Sequence, residues 1–219
     1  MRTFKDEGII LKRHNSGERD RLLTVFTRNH GKMRLLAKGV RRIASRRAPH
    51  LELLNSVTFS ATAGHSLDLV CEVESHQTFG LVKEHLERVG YGYYVIELVD
   101  GLTAEHQPHP EVFNLLVTIL TVLTNNPRKV AVHAFAVRLL SLLGFWSLVS
   151  LERADPKVRQ ILATFSEGDW QAILALELSS ELDESLEVML HAYIEEILER
   201  KLRSPRLIAQ IRNGRYNSL

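Results

Sequence analysis

The sequence predicts an α+β chain of two domains, a small five-stranded barrel over residues 1–79 and an all-α domain over residues 80–219. Three observations carry this. Apolar positions alternate in short runs before about residue 79 and recur at helical spacing after it. Turn residues break the first part at short intervals, as expected for an all-β unit. Five short strands in under 80 residues are too few for an immunoglobulin-type sandwich and suit a closed barrel of the oligonucleotide-binding (OB) type.

The strands are expected near 7–13 (EGIILKR), 21–28 (RLLTVFTR), 32–40 (KMRLLAKGV), 51–62 (LELLNSVTFSAT) and 67–74 (LDLVCEVE). Between them lie NSGE, NHG, the stretch 41–50 and AGHS, rich in the Gly, Asn and Ser that turns prefer. Asn29-His30-Gly31 is short enough to make strands two and three a hairpin. Cys71, the only cysteine, sits in the apolar run LDLVCEV and is expected to be a buried strand residue. It cannot form an internal disulfide, nor build a Cys-rich zinc site.

In the second part Val82, Leu86, Val89, Tyr93 and Ile96 recur at spacings of 4, 3, 4 and 3, the stripe of an amphipathic helix ending near Gly101. A helix from Pro110 to about Thr124 and another after Asn126-Pro127 place Pro in the first turn, where its missing N–H costs nothing. The latter reaches Gly144 and is apolar nearly all round (AVHAFAVRLLSLLG), so it is expected at the centre of its domain. Helices follow near 156–166, 169–178 and 181–202, the last with Leu186, Leu190, Tyr193 and Ile197 inward. A short segment, 205–211, precedes the tail NGRYNSL.

Charge divides as the periodicity does. The chain has a formal net charge of +2, but residues 1–80 hold 14 basic and 8 acidic side chains, a net of +6, and the rest holds a net of −4. Within residues 27–48 stand eight cations, Arg28, Lys32, Arg34, Lys38, Arg41, Arg42, Arg46 and Arg47, and no acid; none occurs between Asp20 and Glu52. Alternation along KMRLLAKGV sends Lys32, Arg34 and Lys38 to one face and Met33, Leu35 and Ala37 to the other. A barrel strand buries the apolar set, so the cations point outward. Gly39 allows a bend, and Arg41, Arg42, Arg46 and Arg47 extend the surface onto a connection. Cations ranged in this way match a phosphate chain and bind it by releasing condensed counterions. A membrane surface would attract the same charge, but the segment lacks the apolar face of an interfacial helix. No apolar run approaches the roughly 20 residues of a membrane span, and MRTFKDEG lacks a secretory core, which makes the cytoplasm the expected compartment.

The stretch EGIILKRHNSGERDRLLTVFTRNHGKMRLLAKGVRR, residues 7–42, strongly resembles the N-terminal signature of the RecO family of bacterial recombination mediators. The family's E-G-(I/V)-(V/I)-L strand matches Glu7 to Leu11, its G-E-x-D-R-L-L-T segment Gly17 to Thr24, its H-G-K strand His30 to Met33, and its A-K-G-x-R-R end Ala37 to Arg42. YYVIELVDGLTAEHQPHPEVFNLL and RKLRSPRLI are similar to later helices of the family. The resemblance implies an OB barrel joined to a helical domain, no catalytic activity and no cofactor. It implies binding of single- and double-stranded DNA and annealing of complementary strands. It also implies partnership with RecR and with the C-terminal tail of single-stranded DNA-binding protein, and through them help in loading RecA. The DNA-facing residues would be Arg21, Arg28, Lys32, Arg34, Lys38, Arg41, Arg42, Arg46 and Arg47. The partner tail would meet cations of the helical domain, for which Arg138, Arg200, Lys201, Arg203 and Arg206 are candidates. Many relatives carry a four-cysteine zinc module. The matching stretch, FWSLVSLERADPKVRQILATFSEGDWQAIL, has no Cys or His, so a shortened, metal-free version packed on Trp146, Phe165 and Trp170 is expected.

Other chemistry is poorly supported. Gly90-Tyr91-Gly92 lies in a helical stripe with no strand before it, unlike a dinucleotide loop. The ten histidines are not paired at ligand spacing with carboxylates, and His106 and His109 flank Pro108 in a polar loop. Signatures of Ser, Cys or Lys nucleophiles are missing. Phe4, Phe26 and Phe59 are expected in the barrel core, leaving electrostatics to dominate over base stacking. Barrel and charge alone would equally allow a basic OB module acting on RNA or as a scaffold.

Overall fold

The computed structural model of the chain describes residues 3–146 and 155–204, apart from the side chain of Glu87. The chain is α+β, an N-terminal OB-type barrel followed by helices. Two compact units are formed, one of residues 1–80 with Thr103–Val117, the other of Leu81–Leu102 with residues 118–219.

In the first unit β1 (Thr3–Ser16), β2 (Asp20–Thr27), β3 (Gly31–Ala37), β4 (Ser56–Thr62) and β5 (Asp68–Gln77) close in the order β1-β2-β3-β5-β4. All neighbours are antiparallel except β3 and β5, joined by the short parallel ladder Leu35↔Asp68 and Leu36↔Leu69. Closure depends on β1, which at 14 residues serves two partners. Its first half pairs β4 from Thr3↔Thr62 to Ile9↔Ser56, and its second half pairs β2 from Gly8↔Thr27 to Ser16↔Asp20. The register slips between Ile10 and Lys12, where Leu11 is the extra residue, and such a bulge adds the twist that a small barrel needs. Gly8 sits at the crossover because a Cβ there would stand 2.4 Å from Val25 Cγ1.

Alternate residues fill the barrel. Ile10, Leu23, Val25, Met33, Leu35, Ala37, Val57, Phe59, Ala61 and Val70 come from the strands, and Val40 and Leu51 join the same core from the connection between β3 and β4. The expected fourth strand begins only at Ser56, since Ala48–Leu51 forms a 3-10 turn and Leu54 adopts φ 68° to bring its side chain inward. Cys71 is exposed, contrary to the apolar run in which it lies. The cause is a second bulge. Ser60 faces Glu72 and Ala61 faces Val70, so Cys71 is the unpaired residue and both it and Glu72 point outward.

The hairpin between β2 and β3 is tied to β1 by one buried carboxylate. Asp6 accepts from the backbone N–H of Glu7 (2.8 Å), the backbone N–H and Nδ2 of Asn29 (3.2 and 2.8 Å), and Nδ1 of His30 at 2.6 Å. Three donors besides its own neighbour satisfy a charge that burial alone would penalise.

The second unit contains α2 (Leu86–Leu102), preceded by the short α1 (Gly80–Glu84), together with the later part of α3 (Pro110–Asn125), α4 (Lys129–Leu142), α5 (Pro156–Glu167), α6 (Trp170–Ala175) and α7 (Ser180–Leu198). Pro opens α3 and α5, and the side chains of Asp155, Asp169 and Ser179 accept from the first-turn N–H groups of α5, α6 and α7. α4 is the central helix, buried from Val130 to Val137 on every side, with Phe165, Ile173, Leu186 and Leu190 around it and Trp146 and Trp170 packed on their edge. α2 does not follow the expected stripe. Leu86 is 49 % exposed, whereas Tyr94, Val95, Leu98 and Val99 are buried, because burial runs around most of the helix rather than along one side. On α7 the inward stripe is Leu186, Leu190 and Ile194, one step from the Tyr193 and Ile197 expected. Segment 205–211 lies outside the described residues.

A charged network joins α4 to α7. Lys129 Nζ stands 2.7 Å from Asp183 and 2.7 Å from Glu187, and His133 Nε2 is 3.0 Å from the other oxygen of Asp183. His133 and Lys129 together hold the Asp183 carboxyl down at about 2, below its ordinary 3.8. A depressed carboxylate stabilises the fold fully above its unfolded pKa and loses that contribution as pH falls through its folded one. Asp183→Asn is expected to cost about 1 kcal/mol at pH 7, since solvent screens part of this partly exposed network. The difference from the parent should shrink between pH 4 and pH 2. Both tryptophans, Trp146 and Trp170, lie in this unit, so denaturation followed by tryptophan fluorescence measures it. A deficit that persists unchanged at pH 2 would refute the assignment.

Candidate nucleic-acid interface

The nine cations expected to meet DNA fall into three sets once their partners are known. On β3 the inward residues are Met33, Leu35 and Ala37, while Arg34 is exposed and Leu36 half-buried. Lys32 belongs to the outward register but is only 8 % exposed. Segment Thr103–Val117, which packs within the barrel unit, covers it. Its ammonium donates to Thr103 O at 2.7 Å, its carbonyl accepts from His106 N–H at 2.9 Å, and a bridge pairs it with Glu105. Gly31 makes the approach possible, at φ 70° and with a notional Cβ 2.2 Å from Gln107 O. Half of the outward face of β3 is thereby covered, and the open half begins at Arg34.

Arg21 and Arg28 are likewise committed. Arg21, with 12 % of its side chain exposed, donates to Leu51 O (3.3 Å) and Glu52 Oε1 (3.1 Å), and Arg13 reaches the same carboxylate at 2.9 Å. Arg28 Nε donates to Glu7 Oε2 at 3.0 Å and its guanidinium lies 4.8 Å from the ring centre of Phe113. These three cations hold the barrel and its covering segment together.

Arg41 and Arg47 fix the two ends of the connection after β3. Arg41 donates through its backbone to Arg19 O (2.9 Å) and through Nη1 to Gly17 O (2.8 Å). Arg47 spans the parallel seam, donating to Lys38 O at 2.6 Å from Nη2 and to Val70 O at 2.8 Å from Nη1. A planar guanidinium with a fork of donors suits two carbonyls on separate strands.

Arg34, Lys38, Arg42 and Arg46 remain. All four are exposed, and their side chains make no hydrogen bond or ion pair among the described residues. Arg19 joins them as an exposed cation whose carbonyl lies against Arg41, a residue that sequence reasoning passed over. Its signal was weak, since G-E-R-D reads simply as a polar turn. Phe26 and Phe59 are buried and Phe4 partly so, packed 6.2 Å from Phe59, so base stacking by these rings is not available on this face.

The helical-domain cations are mostly engaged with protein groups. Arg138 donates to Phe165 O (2.7 Å) and Gly168 O and stacks 4.8 Å over Trp170, binding the carbonyl end of α5. Arg200, Lys201 and Arg203 gather elsewhere, around two carboxylates. Glu97 accepts from Arg200 Nη1 (3.1 Å), from the backbone N–H of Arg203, and from N–H and Oγ of Ser204 (2.8 and 2.6 Å), which together pull its pKa below the usual value in spite of burial. Glu195 accepts from Lys201 Nζ at 2.7 Å and from Leu202 N–H at 3.0 Å. Arg206 lies outside the described residues. Among the described residues no cluster of His, Cys, Asp and Glu is placed to share a metal ion, and no helix is long and apolar enough to cross a membrane.

Comparison with known proteins bears on this arrangement. The family model for the N-terminal part of recombination protein O matches residues 1–79, and that for its C-terminal part matches residues 83–146. DNA repair protein RecO of Pelotomaculum thermopropionicum is 34% identical over 145 residues, 66% of this chain and 57% of that protein. DNA repair protein RecO of Moorella thermoacetica is 36% identical over 141 residues, 64% of this chain and 53% of that protein. In these two the match spans little more than half of the relative's length. The DNA repair protein RecO of Bifidobacterium longum is similar from end to end, 28% identical over 95% of this chain and 99% of that protein.

Anchoring and projecting cations differ in a measurable way. Arg47→Ala leaves two backbone carbonyls without their donor and is expected to lower barrel stability by about 1–3 kcal/mol. Arg34→Ala should change it by no more than roughly 0.5 kcal/mol. Amide hydrogen exchange of β3 and β5 is the measurement, and equal protection in the two variants would contradict the division.

Proposed function

This chain belongs to the RecO family, and we propose that it is a DNA repair and recombination mediator that works by binding rather than by catalysis. One observation carries the reading. Four cations on the open half of β3 and the connection after it, Arg34, Lys38, Arg42 and Arg46, have no partner among the described residues, while Glu52 and Glu7 are already paired with other arginines. Exposed and unneutralised cations on a small barrel meet phosphates without regard to base sequence. Single- and double-stranded DNA would both be ligands. Annealing follows from the same charge, since neutralising two strands on one surface removes the repulsion between them.

The helical unit would serve partners. The C-terminal tail of single-stranded DNA-binding protein is acidic, and the proposed docking cations are Arg200 and Lys201, held by Glu97 and Glu195, with Arg203 next in sequence. Their carboxylate partners Glu97 and Glu195 hold the cluster in place, as opposite charges do at a docking rim. RecR would be a further partner, with RecA loading its indirect result, and the cytoplasm the place of action.

Binding of a labelled single strand, followed by anisotropy across a range of salt, tests the proposal. The Arg34→Ala, Lys38→Ala double variant should bind several-fold more weakly at low salt, with the slope of log affinity against log salt reduced by about 1.4. Its annealing of strands coated by single-stranded DNA-binding protein should slow in parallel. If the double variant bound and annealed like the parent, this face would not be the DNA site. Tighter binding to structured RNA than to DNA of equal length would reject the repair role.

A further inference from the structure

Ile43 is the most exposed large apolar side chain of the described residues, at 108 % of its reference area. It occupies the middle of the unpartnered cations, in Arg41-Arg42-Ile43-Ala44-Ser45-Arg46-Arg47. The backbone around it is ordered by hydrogen bonds. Arg42 N–H donates to Gly39 O at 3.2 Å and Ser45 N–H to Arg42 O at 2.9 Å, so two successive turns place Ile43 and Ala44 at the tip of the second. The ends of the tip are fixed, by buried Val40 and the Arg41 contacts on one side and by Arg47 across the seam on the other.

Local preference argues against this residue at this place. Turn tips favour Pro, Asp, Asn, Ser and Gly, and a β-branched apolar side chain in full contact with water gains nothing from the fold. Where a sequence breaks a local rule without a structural return, function is the usual reason. The surroundings indicate which. Arg42 and Arg46 flank the tip, exposed and unpartnered, so whatever covers Ile43 brings negative charge on both sides of an apolar slot. A splayed step in a DNA strand has this composition, two base faces between two phosphates, and apolar side chains inserted between bases are a known means of unstacking them.

We infer that Ile43 is a wedge that enters between adjacent bases of a bound single strand, with Arg42 and Arg46 on the phosphates to either side. The inference rests on the DNA-binding reading above and gives that surface a second role. Unstacking a single strand is less costly than opening a duplex, so the wedge favours single strands over double. A turn already ordered before binding loses little conformational freedom when it inserts. Bases held apart in this way are presented to a complementary strand.

The test uses the full chain and a single-stranded oligonucleotide carrying one 2-aminopurine between adenines, whose fluorescence rises on unstacking. The parent and Ile43→Met should raise the fluorescence on binding. Ile43→Ala should lose most of the rise and bind roughly fivefold to tenfold more weakly, with the salt slope unchanged because no cation is removed. Binding by the parent without a rise, or a rise in Ile43→Ala equal to the parent's, overturns the wedge and leaves the DNA-binding reading standing. A parent that does not bind DNA removes both. Ile43→Ala unchanged on DNA but weakened towards RecR would assign the tip to a protein contact and likewise overturn the wedge.

Discussion

Closure of the barrel through β1 is the constraint from which the rest of the first unit follows. One strand must pair along both of its edges, with β4 through its first half and β2 through its second, and the bulge at Leu11 lets it turn from one to the other. Once the sheet is closed, each strand has an inside and an outside, and period-2 alternation ceases to be a preference and becomes an assignment. Met33, Leu35 and Ala37 have to be inside, so Arg34 has to be outside. The cationic face is a by-product of filling the core correctly.

The positive charge of this unit is divided between two uses. Arg21, Arg28, Lys32, Arg41 and Arg47 are bound to carboxylates or carbonyls and hold connections in place, whereas Arg34, Lys38, Arg42 and Arg46 are left to solvent. For the DNA contact proposed above the first set matters too, because flexible cations on an untethered loop would lose much of their attraction in the entropy of ordering. The helical unit shows the opposite economy. There Lys129, His133 and Asp183 satisfy each other between α4 and α7, and Glu97 gathers Arg200 and Ser204 around one carboxylate.

Much of this was legible in the residues. The five strands, the central apolar helix and the split of β3 into core and surface faces follow from periodicity, which reports burial directly. Cys71 was misread because a bulge shifts the phase of alternation by one residue, and nothing in LDLVCEV marks the bulge. The stripe of α2 misled because a helix buried around most of its circumference has no single inward face. Lys32 escaped for another reason. Its cover, residues 103–109, is an irregular segment without period, distant in sequence, and only the glycine at position 31 hints that backbone must pass close by. Among the cations, type and spacing identify the face but not the partners, so anchors and free charges look alike until carbonyls are placed around them.

The seam between β3 and β5 differs from the other four. It has two residue pairs where the neighbouring ladders have seven or more, and a side chain, Arg47, completes it by reaching Lys38 O and Val70 O. A backbone ladder tolerates almost any side chain, but this one is written partly in a side chain. Lysine, a single point charge on a flexible stem, cannot span two carbonyls as a planar fork does. Identical charges in one short basic run therefore stand under unequal constraint. Arg34, Lys38, Arg42 and Arg46 make no contact among the described residues that tells arginine from lysine, whereas at 47 the fork of the guanidinium bridges the seam.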